Sequence, residues 1–296
     1  MALYSSFNLF LINLFTRLVP RALFVPAALF WGGLFYLLFG KKRRGVRANL
    51  RAVTGRQQVE RLVFATYYKY SLNWCYLMLM SRLRGERLQA LIGRRSSGKP
   101  LDEALAAGTG AILISPHFGT WELGGLGLAD MGYKVNVLTF REPDDQVNEQ
   151  REQMRRERGI GVIYVDRDDT SPLAIIEAVN ALRRNEIICL LGDRDGSYNT
   201  VTVPFFGRPT PLPSGAAHLS IATGAPVIPV FVLMEADGRY ATLMEEGIVF
   251  KGSHGHNHQV VQDGMIRLAA VFERLIRQYP DQWYNFFDFW SSTIKE

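Results

Sequence analysis

His117 and Glu122 are residues whose type and spacing could do chemistry. They stand in Ser115-Pro116-His117-Phe118-Gly119-Thr120-Trp121-Glu122, after the apolar run Ala111-Ile112-Leu113-Ile114 and before a glycine-spaced helical pattern from Leu123 to Met131. A residue just past a strand end in an α/β protein faces the crevice where ligands bind. Imidazole is also the commonest general base at neutral pH. Five positions correspond to about 140° around an ideal helix. The pair therefore meets only if His117 stands in the loop and Glu122 on the first turns of the following helix. That helix N-terminus would disfavour a protonated ring, and its free N–H groups could hold an anion. A carboxylate on one ring nitrogen would fix the tautomer and leave the other nitrogen to take a hydroxyl proton.

A second charged cluster follows an apolar run in Leu190-Leu191-Gly192-Asp193-Arg194-Asp195-Gly196. It is not a calcium loop, because its glycine comes at the fourth place rather than the sixth and no twelfth-position Glu follows. Arginines gather between the two clusters. Arg141 closes a candidate strand, and Arg151, Arg155, Arg156 and Arg158 fall on the next candidate helix, where 151, 155 and 158 share a face. That face reads either as solvated, with Glu149 and Glu152, or as a surface binding phosphate or an acidic carrier protein. His254-Gly255-His256-Asn257-His258 invites a metal, but its glycine and asparagine favour a loop, and no metal is expected. There is no G-x-S-x-G, P-loop or dinucleotide fingerprint.

Positioning these residues calls for a mostly parallel sheet flanked by helices, because from Leu101 short β-like runs alternate with amphipathic segments. The expected strands are Ala111–Ser115, Val135–Phe140, Val162–Val165, Ile187–Gly192, Val201–Phe205, Pro226–Phe231 and Tyr240–Met244. The expected helices are Leu101–Ala107, Thr120–Met131, Asp144–Glu157, Ser171–Arg183, Pro213–Thr223 and His258–Tyr279. Ser171-Pro172 fits an N-cap followed by an N1 proline, and Gly108 and Gly224 fit helix C-terminal glycines.

The N-terminal third differs. Of 296 residues, the first 59 hold nine Lys/Arg and no Asp or Glu, so the net charge of +6 belongs to that end. Leu23 to Gly40 runs eighteen residues without a charge and is followed by Lys41-Lys42-Arg43-Arg44. Eighteen residues approach the lower limit for crossing a bilayer core of about 30 Å, and Pro26, Gly32 and Gly33 would let the segment kink or dip into one leaflet. The basic block places that end on the cytoplasmic side and suits anionic head groups. A membrane surface is thus the expected partner rather than nucleic acid. The expected division is an anchor with its basic flank over 1–45 and one α/β domain over 46–296. Val59 to Leu83 reads as an aromatic helix that packs on the core or walls an acyl-chain groove. The aromatic stretch Trp283 to Trp290 reads as packed back on the domain. Cys75 and Cys189, each in an apolar run, read as buried free thiols.

Further segments join these two clusters: Val203-Pro204-Phe205-Phe206-Gly207, Pro213-Ser214-Gly215-Ala216 and Thr223-Gly224-Ala225-Pro226-Val227-Ile228-Pro229-Val230. With Arg47-x-Asn49-Leu50, the H-x4-E box, the D-R-D box and Gln282-Trp283-Tyr284, the chain resembles, nearly end to end, the bacterial lipid A biosynthesis acyltransferases (the late lauroyl/myristoyl transferases). The phosphatidylinositol-mannoside acyltransferases are similar, and both fall in the wider lysophospholipid acyltransferase class. The resemblance implies direct acyl transfer from an acyl-carrier-protein or coenzyme A thioester to a lipid-linked hydroxyl at the bacterial inner membrane, with no further cofactor. The acceptor it suggests first is a lipid A precursor; the alternatives are a lysophospholipid or other glycerolipid, or a lipid-binding protein that has lost turnover. His117 would be the base. Glu122 or Asp193 would orient it, and the sequence leaves both open. Arg194 would structure the site or contact phosphate, and Asp195 with Gly196 would shape the turn.

Overall fold

A computed structural model of the chain describes residues 6–141, 145–165, 172–194, 199–235, 237–252 and 257–292. Asp195, Gly196, Ser171, His254 and His256, on which some of the expectations above rest, lie outside the described residues.

Four helices come first: α1 (Ser6–Leu18), α2 (Phe24–Leu38), α3 (Gly40–Thr54) and α4 (Glu60–Met80). The α/β body then runs α5 (Gly85–Gln89), β1 (Ile92–Arg95), α6 (Lys99–Ala106), β2 (Ala111–Ser115), α7 (Trp121–Asp130), β3 (Val135–Phe140), α8 (Asp145–Arg156) and β4 (Gly161–Val165). It continues with α9 (Leu173–Arg183), β5 (Ile187–Leu191), β6 (Thr200–Phe205), β7 (Arg208–Pro213), α10 (Gly215–Thr223), β8 (Val227–Met234), β9 (Tyr240–Met244), α11 (Asn257–Gln278) and the short α12 (Phe289–Ser292).

Seven strands form one sheet in the order β1-β9-β8-β2-β5-β3-β4, and β6 and β7 form a separate antiparallel ribbon. Strands β8, β2, β5, β3 and β4 run parallel, whereas β9 turns back against β8. The mostly parallel sheet flanked by helices is therefore present. Strand β2 lies at its centre and is buried throughout, which explains its continuous apolar run: a strand covered on both faces needs no polar alternation. Ile112 and Ile114 point into a core made with α3, α9, α10 and α11. Ala111 and Leu113 point the other way, into a core made with α6, α7 and the end of α4.

Six of the seven expected strands and all six expected helices are met within about two residues at each end; β8 reaches Met234, three residues past its expected end. Gly224 caps α10 at φ +77°, and Gly108 follows the C-cap of α6 at φ +73°. Pro172 stands at the N-cap position of α9 rather than at its first helical position. Strands β1 and β7 were not expected. The first is a short, largely exposed edge without alternation, and the second carries Pro209, Pro211 and Pro213, residues that a ladder tolerates only at edges. Cys75 is buried and Cys189 half-buried, and both are free thiols. The segment Arg21–Leu38 is, by length and composition, long and apolar enough to cross a membrane.

Candidate active site

The sheet register brings His117 to Asp193. Ser115 on β2 pairs with Leu191 on its parallel neighbour β5, and both strands end there. The next step is shared as well, because the Gly192 N–H donates to the Ser115 carbonyl at 2.9 Å. His117 and Asp193 are each two residues beyond these paired ends, so they face one another across the carboxyl edge of the sheet.

The contact is close. His117 Nδ1 lies 2.6 Å from Asp193 Oδ1, and the same oxygen accepts the His117 backbone N–H at 3.0 Å. Asp193 is fully buried, whereas the imidazole keeps 17% of its side-chain surface exposed. The other carboxylate oxygen, Oδ2, accepts the Trp283 indole N–H at 2.9 Å and the Asn285 Nδ2 donor at 3.2 Å. Burial alone would raise the Asp193 carboxyl. The His117 ring, Arg194 and the Trp283 N–H outweigh it and hold the group well below the usual carboxylate range. Burial, and then the Arg194 charge, push the His117 ring below its ordinary value despite the pull of Asp193. The result is a neutral imidazole whose Nδ1–H is tied to an ionised carboxylate, leaving Nε2 able to accept a proton.

Glu122 is elsewhere. It stands in the first turn of α7 and receives the guanidinium of Arg151, and that of Arg155 at 2.8 Å. These two arginines outweigh the effect of burial and hold its carboxyl down to about 2. The carboxylate bonded to the His117 ring is thus Asp193, and the sequence alternatives separate into two unlike environments.

The arginine face of α8 is turned inward rather than solvated. Arg155 is buried on Glu122, and Arg158, just past the helix, is buried against Asp130 at 3.6 Å. Arg158 Nη2 also donates to the carbonyls of Met80, Ser81 and Leu83, which caps the end of α4. Arg156 is the exposed member and pairs with Glu152. Arg141 stacks on the Tyr164 ring at 4.1 Å. Arg194 donates to Asn285 Oδ1 at 2.7 Å and to the Tyr284 carbonyl at 2.6 Å, which ties it to the segment that also supports Asp193.

The loop that carries His117 is clamped by the chain's C-terminal segment. The Tyr284 N–H donates to the His117 carbonyl at 2.8 Å, and the Gly119 N–H donates to the Gln282 carbonyl at 2.8 Å. The Gln282 side chain in turn pairs with both backbone groups of Met234. At Gly119, φ is +57° and a Cβ would lie 1.9 Å from the Val232 carbonyl oxygen, so only glycine fits. The Gly119 and Thr120 N–H groups, donating to Gln282 and Val232, are engaged and do not await an anion. From the other side, Asn49 donates to the carbonyls of Asn285 and Phe287 and accepts the Phe289 N–H. Reading local spacing could not find Trp283, Asn285 and Asn49, because they act across 90 to 240 positions. The available signal was the place of Asn49 and Trp283 in two of the segments that carry the family resemblance.

Beside the pair opens a cavity walled by Tyr70, Asn73, Trp74 and Leu77 of α4, by Trp121, Glu122 and Arg151, and by Tyr284. Its largely aromatic and aliphatic walls suit an apolar group. The aromatic helix expected from the sequence forms one side of it.

The family model described as bacterial lipid A biosynthesis acyltransferase matches residues 4–292. A phosphatidylinositol mannoside acyltransferase of Mycolicibacterium smegmatis is 27% identical over 287 residues, covering 95% of this chain and 89% of that relative. One of Mycobacterium tuberculosis is 29% identical over 197 residues, covering 65% of this chain and 62% of the relative, less than two thirds of its length. With a family match that takes in all but the chain's extreme ends, this protein belongs to the bacterial lipid A biosynthesis acyltransferase family.

Proposed function

We propose that this protein transfers a fatty acyl chain from a thioester donor, acyl-carrier protein or acyl-coenzyme A, to a hydroxyl of a membrane glycolipid, with a lipid A precursor as the first acceptor. The observation that carries the reading is the buried 2.6 Å contact of His117 Nδ1 with Asp193 Oδ1. His117 Nε2 takes the acceptor hydroxyl proton as the oxygen attacks the thioester carbonyl. The C–S bond then breaks, an ester forms, and the imidazolium returns the proton to the departing thiolate. Asp193 holds the tautomer and offsets the charge that develops on the ring. A base in this role contributes roughly 10²- to 10⁴-fold.

The apolar cavity beside His117 holds the acyl chain, and Glu122 with Arg151 and Arg155 braces its wall. Catalysis takes place on the cytoplasmic face of the inner membrane, where the basic N-terminal third meets anionic head groups. A phosphatidylinositol mannoside is the second acceptor reading, favoured by the two mycobacterial relatives. Purified full-length protein, offered labelled acyl-carrier protein and acyl-coenzyme A against lipid A precursors, phosphatidylinositol mannosides and lysophospholipids, tests the proposal. Transfer to a glycolipid is expected. Transfer to lysophospholipid alone, or to none, contradicts it.

A further inference from the structure

The apolar segment that is long enough to cross a bilayer is fastened along its length to the body of the protein. Phe24 of α2 meets Tyr76 of α4 with ring centroids 5.8 Å apart, and Tyr36 meets Phe64 at 5.7 Å. Between them, a Cβ at Gly32 would lie 2.9 Å from Tyr68 Cα and 3.0 Å from the Tyr67 carbonyl, so the two backbones touch. The pairs 24 with 76, 32 with 68 and 36 with 64 define one antiparallel register. It spans about 18 Å at 1.5 Å per residue.

Helix α4 cannot follow α2 into hydrocarbon. It carries Lys69, ion-paired with Asp281 at 2.8 Å. Asn73 bonds the Tyr284 hydroxyl at 2.7 Å and the Tyr240 hydroxyl at 3.1 Å. Helix α1 is fastened too: Arg82, just past the end of α4, donates to Asn13 Oδ1 at 3.1 Å. A spanning α2 would have to strip these contacts or drag buried polar groups of the body into the bilayer.

The opposite faces of α1 and α2 are bare and apolar. Phe10, Leu14 and Leu18 on the first, and Leu29, Phe30 and Leu37 on the second, are exposed, Leu18 by 74% and Phe30 by 64%. Exposed Lys41 and Arg44 follow at the start of α3, and no acidic residue occurs before Glu60. An apolar face flanked by cations, with Glu60 beside Tyr36 already paired with Arg47, matches a lipid surface with anionic head groups.

We infer that α1 and α2 dock in the plane of one leaflet, so that Arg21–Leu38 lies in the interface and does not cross it. Such helices embed to about 5–10 Å. The inference rests on the proposed membrane association and adds its geometry.

Two measurements separate them. Flotation of the full-length protein with vesicles of neutral phosphatidylcholine, with and without anionic phosphatidylglycerol, tests association. Binding should be stronger with the anionic lipid, and the pair Phe30→Glu and Trp31→Glu should weaken it at least tenfold while the thermal melt of the body is kept. Absence of flotation overturns both association and geometry. Topology is then read with Ala22→Cys and Lys41→Cys, at the two ends of the segment, in sealed inner-membrane vesicles and in spheroplasts treated with an impermeant thiol reagent. Docking in one leaflet predicts labelling of both positions from the same face. Labelling of position 22 only from the face opposite to 41 overturns the in-plane geometry and leaves association standing.

Discussion

Trp283 donates its indole N–H to Asp193 Oδ2 at 2.9 Å, on the carboxylate oxygen that does not touch His117. The aromatic tail of the chain is therefore a support for the central pair, reached from a strand end 90 residues earlier. Hydrogen bonds to a charged group are worth about 1.5–3 kcal/mol, which corresponds to roughly one to two decades in rate if they are needed in the transition state. Trp283→Phe should lower kcat by about tenfold or more with little change in KM for either substrate, and should move the acid limb of the pH profile. Equal kcat and an unmoved profile would limit Trp283 to packing.

The pH dependence follows from the state of the ring. Burial and Arg194 lower the His117 pKa from its usual 6.5, and the base works only when neutral. Activity should therefore rise with pH through a midpoint below about 6.5 and stay level above it. Asp193 alone among the main influences raises the ring's pKa, so Asp193→Asn should move that limb lower still while cutting kcat by roughly 10²- to 10⁴-fold. Initial rates of kcat/KM across pH check both. A midpoint above 7 in the parent enzyme would contradict the assignment.

Glu122 should behave differently. Its carboxyl is lowered from 4.5 to about 2 by Arg155 and Arg151, and a depressed carboxylate stabilises the fold above its unfolded pKa. That contribution, about 3 kcal/mol at 1.36 kcal/mol per unit, is lost as the pH falls from about 4.5 toward 2. Glu122→Gln should lower stability at pH 7, because the buried Arg155 and the half-buried Arg151 guanidinium groups lose their counter-charge. It should also flatten the acid slope. Urea unfolding at several pH values reads both. The acid limb of its activity should move less than that of Asp193→Asn.

The cavity gives a prediction on substrate length. Leu77 lines it beside Trp74 and Tyr70, so Leu77→Trp should shorten the space for an acyl chain. Each excluded methylene costs about 0.8 kcal/mol of burial, roughly fourfold. The preference among donors should therefore shift to shorter chains, measured as kcat/KM across a series of acyl thioesters. An unchanged order would place the chain elsewhere.

Much of this arrangement was legible in the order of residues. Ala111–Ser115 and Ile187–Leu191 announce themselves as strands buried on both faces, so a histidine and an acid just after them mark the sheet's carboxyl edge. The choice between Glu122 and Asp193 was not legible. It depends on β2 and β5 being neighbours in register, which no local pattern encodes. Arg151, Arg155 and Arg158 look like a solvated helix face by spacing, and only the packing of α8 turns them onto Glu122 and brings Arg158 to Asp130. The prolines of β7 hid a strand. The contact of Gly32 with α4 could not be inferred, because a glycine in an apolar run reads equally as a kink.

The central claim is that His117 is the base for acyl transfer. Steady-state transfer of a labelled acyl chain from its thioester to a glycolipid acceptor, by the parent protein and by His117→Ala at equal folded concentration, tests it most directly. A fall of roughly 10²- to 10⁴-fold in kcat, with thermal stability retained, is the predicted result, and an unchanged kcat in the variant would contradict it.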